Sequence, residues 1–331
     1  MKENKVDKKF DIKNFLGKYF LLIAILLVYL IFSLEEPAFR QINNLLDIFR
    51  SASIIGLMGI GITYSLMSGE FDLSIGAAAT LSAIIVGRLL AYPNFNNFLL
   101  AMFIALVIAC IIGLFNAFNT LVIGVPSFIA TLGSLTLLNG VTKYITGGGV
   151  FYSLNWPPTF VLLGQGMIGK IIPTPAIVFL LVFLFAWNHT ERTKTGRYIF
   201  AVGANPVACL HIGINVKKSK TLAFVFSSFF AGFAGIIQGS TLGSITPGMG
   251  DGNLLPAISA AMLGATFLKP GIHNIPGSVM GAILLAIIAN GLTMVGASFF
   301  MKDVIQGVIL LVAVGIIATI GKESLTEIKI L

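Results

Sequence analysis

Long apolar runs, broken by short polar, glycine- or proline-marked gaps, recur along nearly the whole chain. A helix needs about 20 apolar residues to cross the hydrocarbon core of a bilayer. With Gly, Pro and charge as punctuation, spans are predicted near 18–34, 48–67, 72–91, 97–122, 127–146, 171–188, 220–242, 254–268, 276–297 and 303–320. The segment 72–91 is rich in small residues, and 254–268 is short for an unaided crossing. The pattern predicts an all-α membrane protein with about ten transmembrane helices. It divides into a tail over 1–17, a transmembrane domain over 18–320 with a long polar loop at 189–219, and a second tail over 321–331.

Composition agrees: 56% of the 331 residues are hydrophobic and 10% are charged, against about 25% charged in soluble domains. No polar stretch is long enough for a separate catalytic or nucleotide-binding domain. The basic start leads into the apolar run Tyr19 to Phe32, followed by Glu35-Glu36-Pro37 in place of a small-x-small cleavage site, so a retained first span is expected. Cys110 lies in an apolar run and Cys209 in a polar loop, a spacing that suggests neither a disulfide nor a zinc site.

The net charge of +8 has a topological explanation, and no nucleic-acid partner is expected. Six Lys precede the first span, six Lys or Arg lie between Arg192 and Lys220, and Lys269, Lys322 and Lys329 join them. That places 15 of the 21 basic residues on one face of a ten-span topology. Positive residues concentrate on the cytoplasmic side, so both termini are predicted to be cytoplasmic.

The chain also repeats itself. GLFNAFNTLVIGVPSFIATLG (113–133) resembles AIIANGLTMVGASFFMKDVIQG (286–307), with Asn119 and Asn290 ending corresponding helices. SGEFDLSIGAAATLSA (68–83) resembles GDGNLLPAISAAMLGA (250–265), each an acidic, glycine-containing turn that opens a helix of small residues. Spans 2–5 therefore correspond to spans 7–10. An offset of five spans makes the repeat inverted, a common transporter architecture.

Glu70 and Asp72 are the only acidic residues between Asp47 and Glu191. Two readings stand: Asp72 or Ser74 caps the third helix at the cytoplasmic rim, or the acids gate or line a path. Gly235, Gly239 and Gly243, and again Gly277 and Gly281, repeat at four-residue spacing and predict close helix contacts. The loop after the sixth span combines basic residues with patterned apolar ones (Val207, Leu210, Ile212, Ile214), opened by Asn205-Pro206 in helix-start style. A bare anchor needs the charges but not the pattern, so a partner-docking loop is expected. The opposite-face loop 146–170 either partly re-enters the membrane or faces an external partner.

No G-x-x-x-x-G-K-[ST] motif occurs; the stretch from Gly315 to Lys322 is one residue too long and continues with Glu323. His189, His211 and His273 are expected in cytoplasmic loops, without a ligand pair at helical spacing. An acid pair, Ser/His pair or ligand set within the spans, as a membrane enzyme would use, is missing, and so is the series of ionisable groups usual in ion-coupled carriers. The expected role is a transporter whose energy source lies in another chain. A self-contained secondary carrier or channel is the alternative, and a polytopic membrane enzyme or scaffold a further one.

SGEFDLSIGA (68–77), VPSFIATLGSLTLLNGV (125–141) with ITGGG after it, TKTGRYIFAVGANPVACLHIGINV (193–216), LLPAISAAMLGAT (254–266) and PGSVMGAILLAIIANGLTMVG (276–296) occur in this order. Together they resemble the permease subunits of ribose-type ATP-binding-cassette importers, a group that includes monosaccharide and autoinducer-2 permeases in the branched-chain permease superfamily. The chain departs from the family pattern at Cys209, Ile212, Pro256 and the turn 268–276.

The resemblance implies a multi-pass protein of the bacterial cytoplasmic (inner) membrane that carries a small hydrophilic solute such as ribose. Implied partners are ABC ATPase subunits, an extracytoplasmic substrate-binding protein, a second permease chain in a homo- or heterodimer, and membrane lipid. No catalytic residue, cofactor or metal is expected in this chain; ATP and Mg belong to the partner ATPase. Gly196, Arg197, Gly203, Asn205, Pro206, Ala208 and Gly213 fall on the implied ATPase-coupling element. Glu70, Asp72, Ser74, Asn119, Phe128, Thr131 and Asn290 are the candidates for the translocation path or its gate.

Overall fold

The computed structural model describes residues 12–92, 95–153, 156–169 and 171–328. The basic residues of the first eleven positions, and Lys170 and Lys329, lie outside them. Among the described residues there are thirteen α-helices.

Helix α1 (Ile12–Glu35) breaks at Glu36, whose carboxylate accepts the Ala38 N–H (3.1 Å) and starts a short 3-10 turn, Pro37–Arg40. The long helix α2 (Ile42–Met67) follows, then α3 (Ile75–Leu90) and α4 (Phe98–Phe118). Asn97 caps α4 through the Leu100 N–H (3.1 Å). A π-turn, Asn119–Ile123, extends α4, and Gly124 (φ 90°) ends it before α5 (Ser127–Thr146).

Among its described residues, the segment 147–173 holds no helix long enough to cross a membrane. It forms β1 (Phe151–Tyr152), the short helix α6 (Pro158–Gln165) and a small hairpin of β2 (Met167–Ile168) with β3 (Ile172–Pro173). Helix α7 (Thr174–Arg192) leads into α8 (Lys194–Ala204) and α9 (Pro206–His211), so the polar loop expected at 189–219 is largely helical. His189, expected in that loop, occupies the last turn of α7. Helix α10 (Val216–Leu242) is followed by β4 (Ser244–Ile245), which pairs antiparallel with β1. Helices α11 (Leu254–Gly264), α12 (Ile275–Met294) and α13 (Phe299–Ile328) complete the order.

Among the described residues, five stretches are long and apolar enough to cross a membrane: 42–67, 98–123, 174–192, 216–242 and 275–294. The apolar stretches Tyr19–Glu35 and Ile75–Leu90 are shorter. At 1.5 Å per residue, the 16 residues of α3 reach about 24 Å and the 11 of α11 about 16 Å, against a hydrocarbon core of ~30 Å. The predicted spans 72–91 and 254–268 are thus helices that begin late or end early, with irregular backbone making up the rest. Such backbone is tolerated at membrane depth only inside protein or along a water-filled cavity. Before α3 it is inside protein, since Asp72 and Ser74 are fully buried.

The repeat is visible as an exchange of partners. From the first half, α3 and α4 pack on α10, and from the second half, α11 and α12 pack on α2. Helices α2 and α10 also pack on each other, which puts both at the centre. Burial follows this order: 61% and 67% of their apolar stretches are inside the molecule, against 33% for α4 and 22% for α7.

Lipid offers no hydrophobic drive for helix association, so close backbone contact must replace it. A Cβ at Gly235 would overlap the Ala79 carbonyl, one at Gly281 the Ala260 carbonyl, and one at Gly277 the Gly264 carbonyl. The four-residue glycine spacing thus marks the seats of α3 on α10 and of α11 on α12. At the other end α6 closes over α10: Ser240 Oγ donates to the Phe160 carbonyl, and Trp156 Nε1 donates to the Gly243 carbonyl (3.0 Å).

Candidate functional site

Two breaks between α-helices, 68–74 and 243–253, occupy corresponding places in the two halves, and both point inward. The first begins where Gly69 (φ 80°) turns the chain out of α2. Residues 71–73 then run without helical hydrogen bonds, and the first turns of α5 supply partners. The Phe71 N–H donates to Ser127 Oγ (3.1 Å) and the Leu73 N–H to Thr131 Oγ1 (3.0 Å).

Asp72 is fully buried. Its Oδ1 accepts the Ser74 N–H (3.0 Å) and the Ser74 hydroxyl (2.6 Å). Asn116 of α4 donates to Ser74 Oγ (2.8 Å), and the Ser134 hydroxyl of α5 donates to Asn116 Oδ1 (2.6 Å). Oδ2 has no partner within hydrogen-bonding distance, and Ser227 of α10 lies beside the carboxyl group without bonding it. Ser227 lies close to the middle of α10, so the carboxylate sits deep in the bundle and not at its rim. Nor does a side chain cap α3: Ser74 holds the N-cap position without a side-chain bond to the helix, and Asp72 binds the turn instead.

The second turn enters from the opposite end. Gly248 (φ 76°) reverses the chain, and the Gly250 N–H donates to Thr80 Oγ1 of α3 (2.9 Å). A Cβ on Gly250 would overlap the Gly76 carbonyl, and one on Gly76 would meet Asp251 Oδ1 at 3.1 Å. Asp251 Oδ2 accepts from Asn139 Nδ2 of α5 (3.0 Å). The first turn of α3 therefore lies against the turn that opens α11, with a carboxylate beside the positive end of the α3 dipole. Discontinuous helices that meet inside a bundle are the usual surroundings of a transported solute.

On the polar side, α8 lies across the end of α2. A Cβ at Gly203 would overlap the Met67 carbonyl, and Gly203 Cα lies 3.6 Å from the position a Cβ would take on Gly69. Gly196 has no space for a side chain against the His189 carbonyl. Asn205 caps α9 by accepting the Ala208 N–H (2.9 Å), Pro206 takes the first helical position, and Gly213 ends the turn with φ 80°. Most of the residues on the coupling motif thus shape α8 and α9, whereas Arg197, Val207, Leu210 and Ile212 are exposed. Arg197 lines a cavity of about 130 Å³ with Thr190, Phe200, Lys269 and His273.

Of the path candidates, Asp72, Ser74 and Thr131 come together at the first turn, and Glu70 is ion-paired there with Lys220 of α10. Asn119 and Phe128 do not join them: Asn119 Nδ2 donates to the Phe115 carbonyl of its own helix (2.8 Å), and Phe128 is 54% exposed. Asn290 lies on α12, which packs chiefly on α1, α2, α7, α11 and α13. Sequence reading did not include Asn116, Ser134, Asn139, Ser227 and Asp251 among the site residues. Asp251 stood in the repeat as the acidic counterpart of the first turn and could have been found there; the others are isolated polar residues in apolar helices.

Over residues 44–314 the chain matches the family described as the branched-chain amino acid transport system / permease component. It is 35% identical to the ribose import permease protein of Escherichia coli over 295 residues, 88% of this chain and 91% of that protein. It is 30% identical to the D-allose transport system permease protein of Escherichia coli (95% and 96%). With the autoinducer 2 import system permease protein of an Enterobacter species it shares 31% identity (87% and 83%). No solved structure matches it.

Proposed function

Because the chain belongs to the permease-component family of branched-chain transport systems, we propose that it forms the membrane path of an ATP-binding-cassette importer for a small hydrophilic solute, a monosaccharide of the ribose type. Relatives named for ribose and allose import support that solute class. The observation that carries the path is the meeting of the α3 start with the 243–253 turn inside the bundle, where Gly76 and Gly250 leave no room for side chains.

The helices α8 and α9 dock on a partner ATPase that binds ATP and Mg, and an extracytoplasmic binding protein delivers the sugar at the opposite face, beside α6 and the β1–β4 pair. Two permease chains, alike or different, face each other across the path. The termini, α8 and α9 are cytoplasmic in this arrangement, as the basic-residue bias requires. Solute then moves by alternating access, with hydrolysis in the ATPase biasing one arrangement of the helices over the other.

Uptake of radiolabelled ribose into liposomes tests this. The chain reconstituted with its ATPase and binding protein is expected to accumulate the sugar only with ATP inside. Accumulation by the chain alone under an ion gradient overturns the reading in favour of a secondary carrier. Deletion of residues 205–214 is expected to abolish ATPase co-purification, and intact co-purification overturns the docking assignment.

A further inference from the structure

Helix α8 buries Ile199 and Val202 against the core and meets it at two further points of different character. At its C-terminal end Gly203 makes a steric seat on Met67. Near its N-terminal end it is joined to the core by a chain of hydrogen bonds. Thr195 Oγ1 bonds to His189 Nε2 (2.8 Å), and His189 Nδ1 bonds to the Tyr64 hydroxyl (3.0 Å).

Tyr64 is fully buried on α2, less than one turn before the chain leaves the helix for the Asp72 turn. Its ring stacks on Phe226 (centroids 4.7 Å) and Phe230 (5.8 Å), both on α10, and Phe226 also touches the His189 ring (4.9 Å). The start of α8 is fixed to the same turn of α7: Thr193 accepts the Gly196 N–H (3.1 Å), donates to the His189 carbonyl (2.7 Å) and meets Thr195 Oγ1 (3.0 Å). The imidazole therefore bridges an exposed helix and the two helices at the centre of the bundle.

We propose that His189 is a positioning residue that transmits displacement of α8 to the α2–α10 crossing, with Thr195 as its input and the Tyr64 hydroxyl as its output. This rests on the reading of α8 as the ATPase-docking element. Neutral imidazole has one donor and one acceptor nitrogen, so both bonds form only while the ring keeps one orientation. A shift of α8 must then rotate the ring, carrying Tyr64 with it, or break the chain. Steric contact at Gly203 can push α2 but cannot pull it; the hydrogen-bonded end can do both.

The test uses the complete complex of this chain with its ATPase and binding protein in liposomes, and reads solute moved per ATP hydrolysed. Thr195→Val and Tyr64→Phe each remove one hydroxyl. Both are expected to bind the ATPase and support hydrolysis, yet to move about fivefold less solute per ATP or worse. Because they interrupt one chain, the double variant is expected to equal the single ones, and Thr195→Ser to restore the ratio. An unchanged ratio in Thr195→Val, losses that multiply in the double variant, or a loss of ATPase binding in step with transport overturns the proposal. Thr195 is exposed, so its variants decide the matter even where Tyr64→Phe does not fold. If the unaltered chain binds no ATPase, the docking reading itself falls, a result distinct from failure of the polar chain.

Discussion

The turns 68–74 and 243–253 come from the same sequence device, an acidic, glycine-containing segment ahead of a helix of small residues, yet the fold treats them differently. In the first, Asp72 is fully buried, and polar side chains of α4 and α5 surround it: Asn116, Thr131 and Ser134 all serve the turn. In the second, Asp251 is only partly buried and keeps one side-chain hydrogen bond, to Asn139. The first turn is a clamped joint. The second is held by glycine contacts with α3 and by the Gly250 N–H bond to Thr80, with its carboxylate only partly buried. An inverted repeat can thus keep its backbone plan while its two turns are held by different means.

The largest expected effect comes from breaking the clamp. Asp72→Ala leaves the Ser74 N–H and hydroxyl without their acceptor, at about 1–3 kcal/mol for each buried group left unpaired, and is expected to abolish uptake and lower folded yield in detergent. Asp72→Asn keeps an oxygen acceptor and is expected to retain uptake. Loss of uptake by a normally inserted Asn variant would instead show a charge-specific role. Asp251→Ala is expected to fold at near-normal yield and to lower uptake alone.

Next in size is the glycine contact of the second turn. Gly250→Ala drives a methyl into the Gly76 carbonyl and is expected to cost about 1–3 kcal/mol in thermal stability, whereas Gly252→Ala, with nothing within 4 Å, is expected to be silent. Equal effects would break the claim that this turn is seated by its glycines. Smaller again is the Glu70–Lys220 ion pair, whose side chains are 11% and 17% exposed. A double-mutant cycle with Glu70→Gln and Lys220→Met is expected to give a coupling of about 0.5–1 kcal/mol.

The smallest effect concerns His273, in the turn after α11; its first-half counterpart, 91–97, carries no histidine. Burial holds the imidazole below its ordinary value of 6.5. Glu191, Arg197 and Lys269 line the adjoining cavity with it. The folded state therefore binds this proton less readily than the unfolded state. Its stability is complete above about pH 6.5 and declines as pH falls below it. Melting temperatures between pH 7.5 and 5.5 are expected to show a shallow decline that His273→Gln flattens.

Much of this was legible in the sequence. Apolar run length exposed the helical membrane class, and the motif order pointed to the family that the comparisons then showed. The repeat put spans 2–5 opposite 7–10, and the glycine spacing marked the tight helix contacts. The rim position of Asp72 was not legible correctly, because hydropathy treats an acidic residue as a boundary, while here Ser74 and, from α4, Asn116 hold its carboxylate inside the bundle. Helix α8 also escaped, since its glycines and basic residues resemble a loop until α2 and α7 supply the surface on which it packs.

The sequence by itself determined what each segment can be: an apolar helix, a glycine-lined helix face, or a break that opens a new helix. These follow from local chemistry, because side-chain hydropathy and backbone freedom act over a few residues. Only the tertiary structure decided which polar groups meet. Asp72 with Asn116, Asp251 with Asn139, and Tyr64 with His189 are separated by 44, 112 and 125 positions. Each pair forms because a buried polar group must find a partner inside the bundle, and the packing of helices determines which partner is within reach.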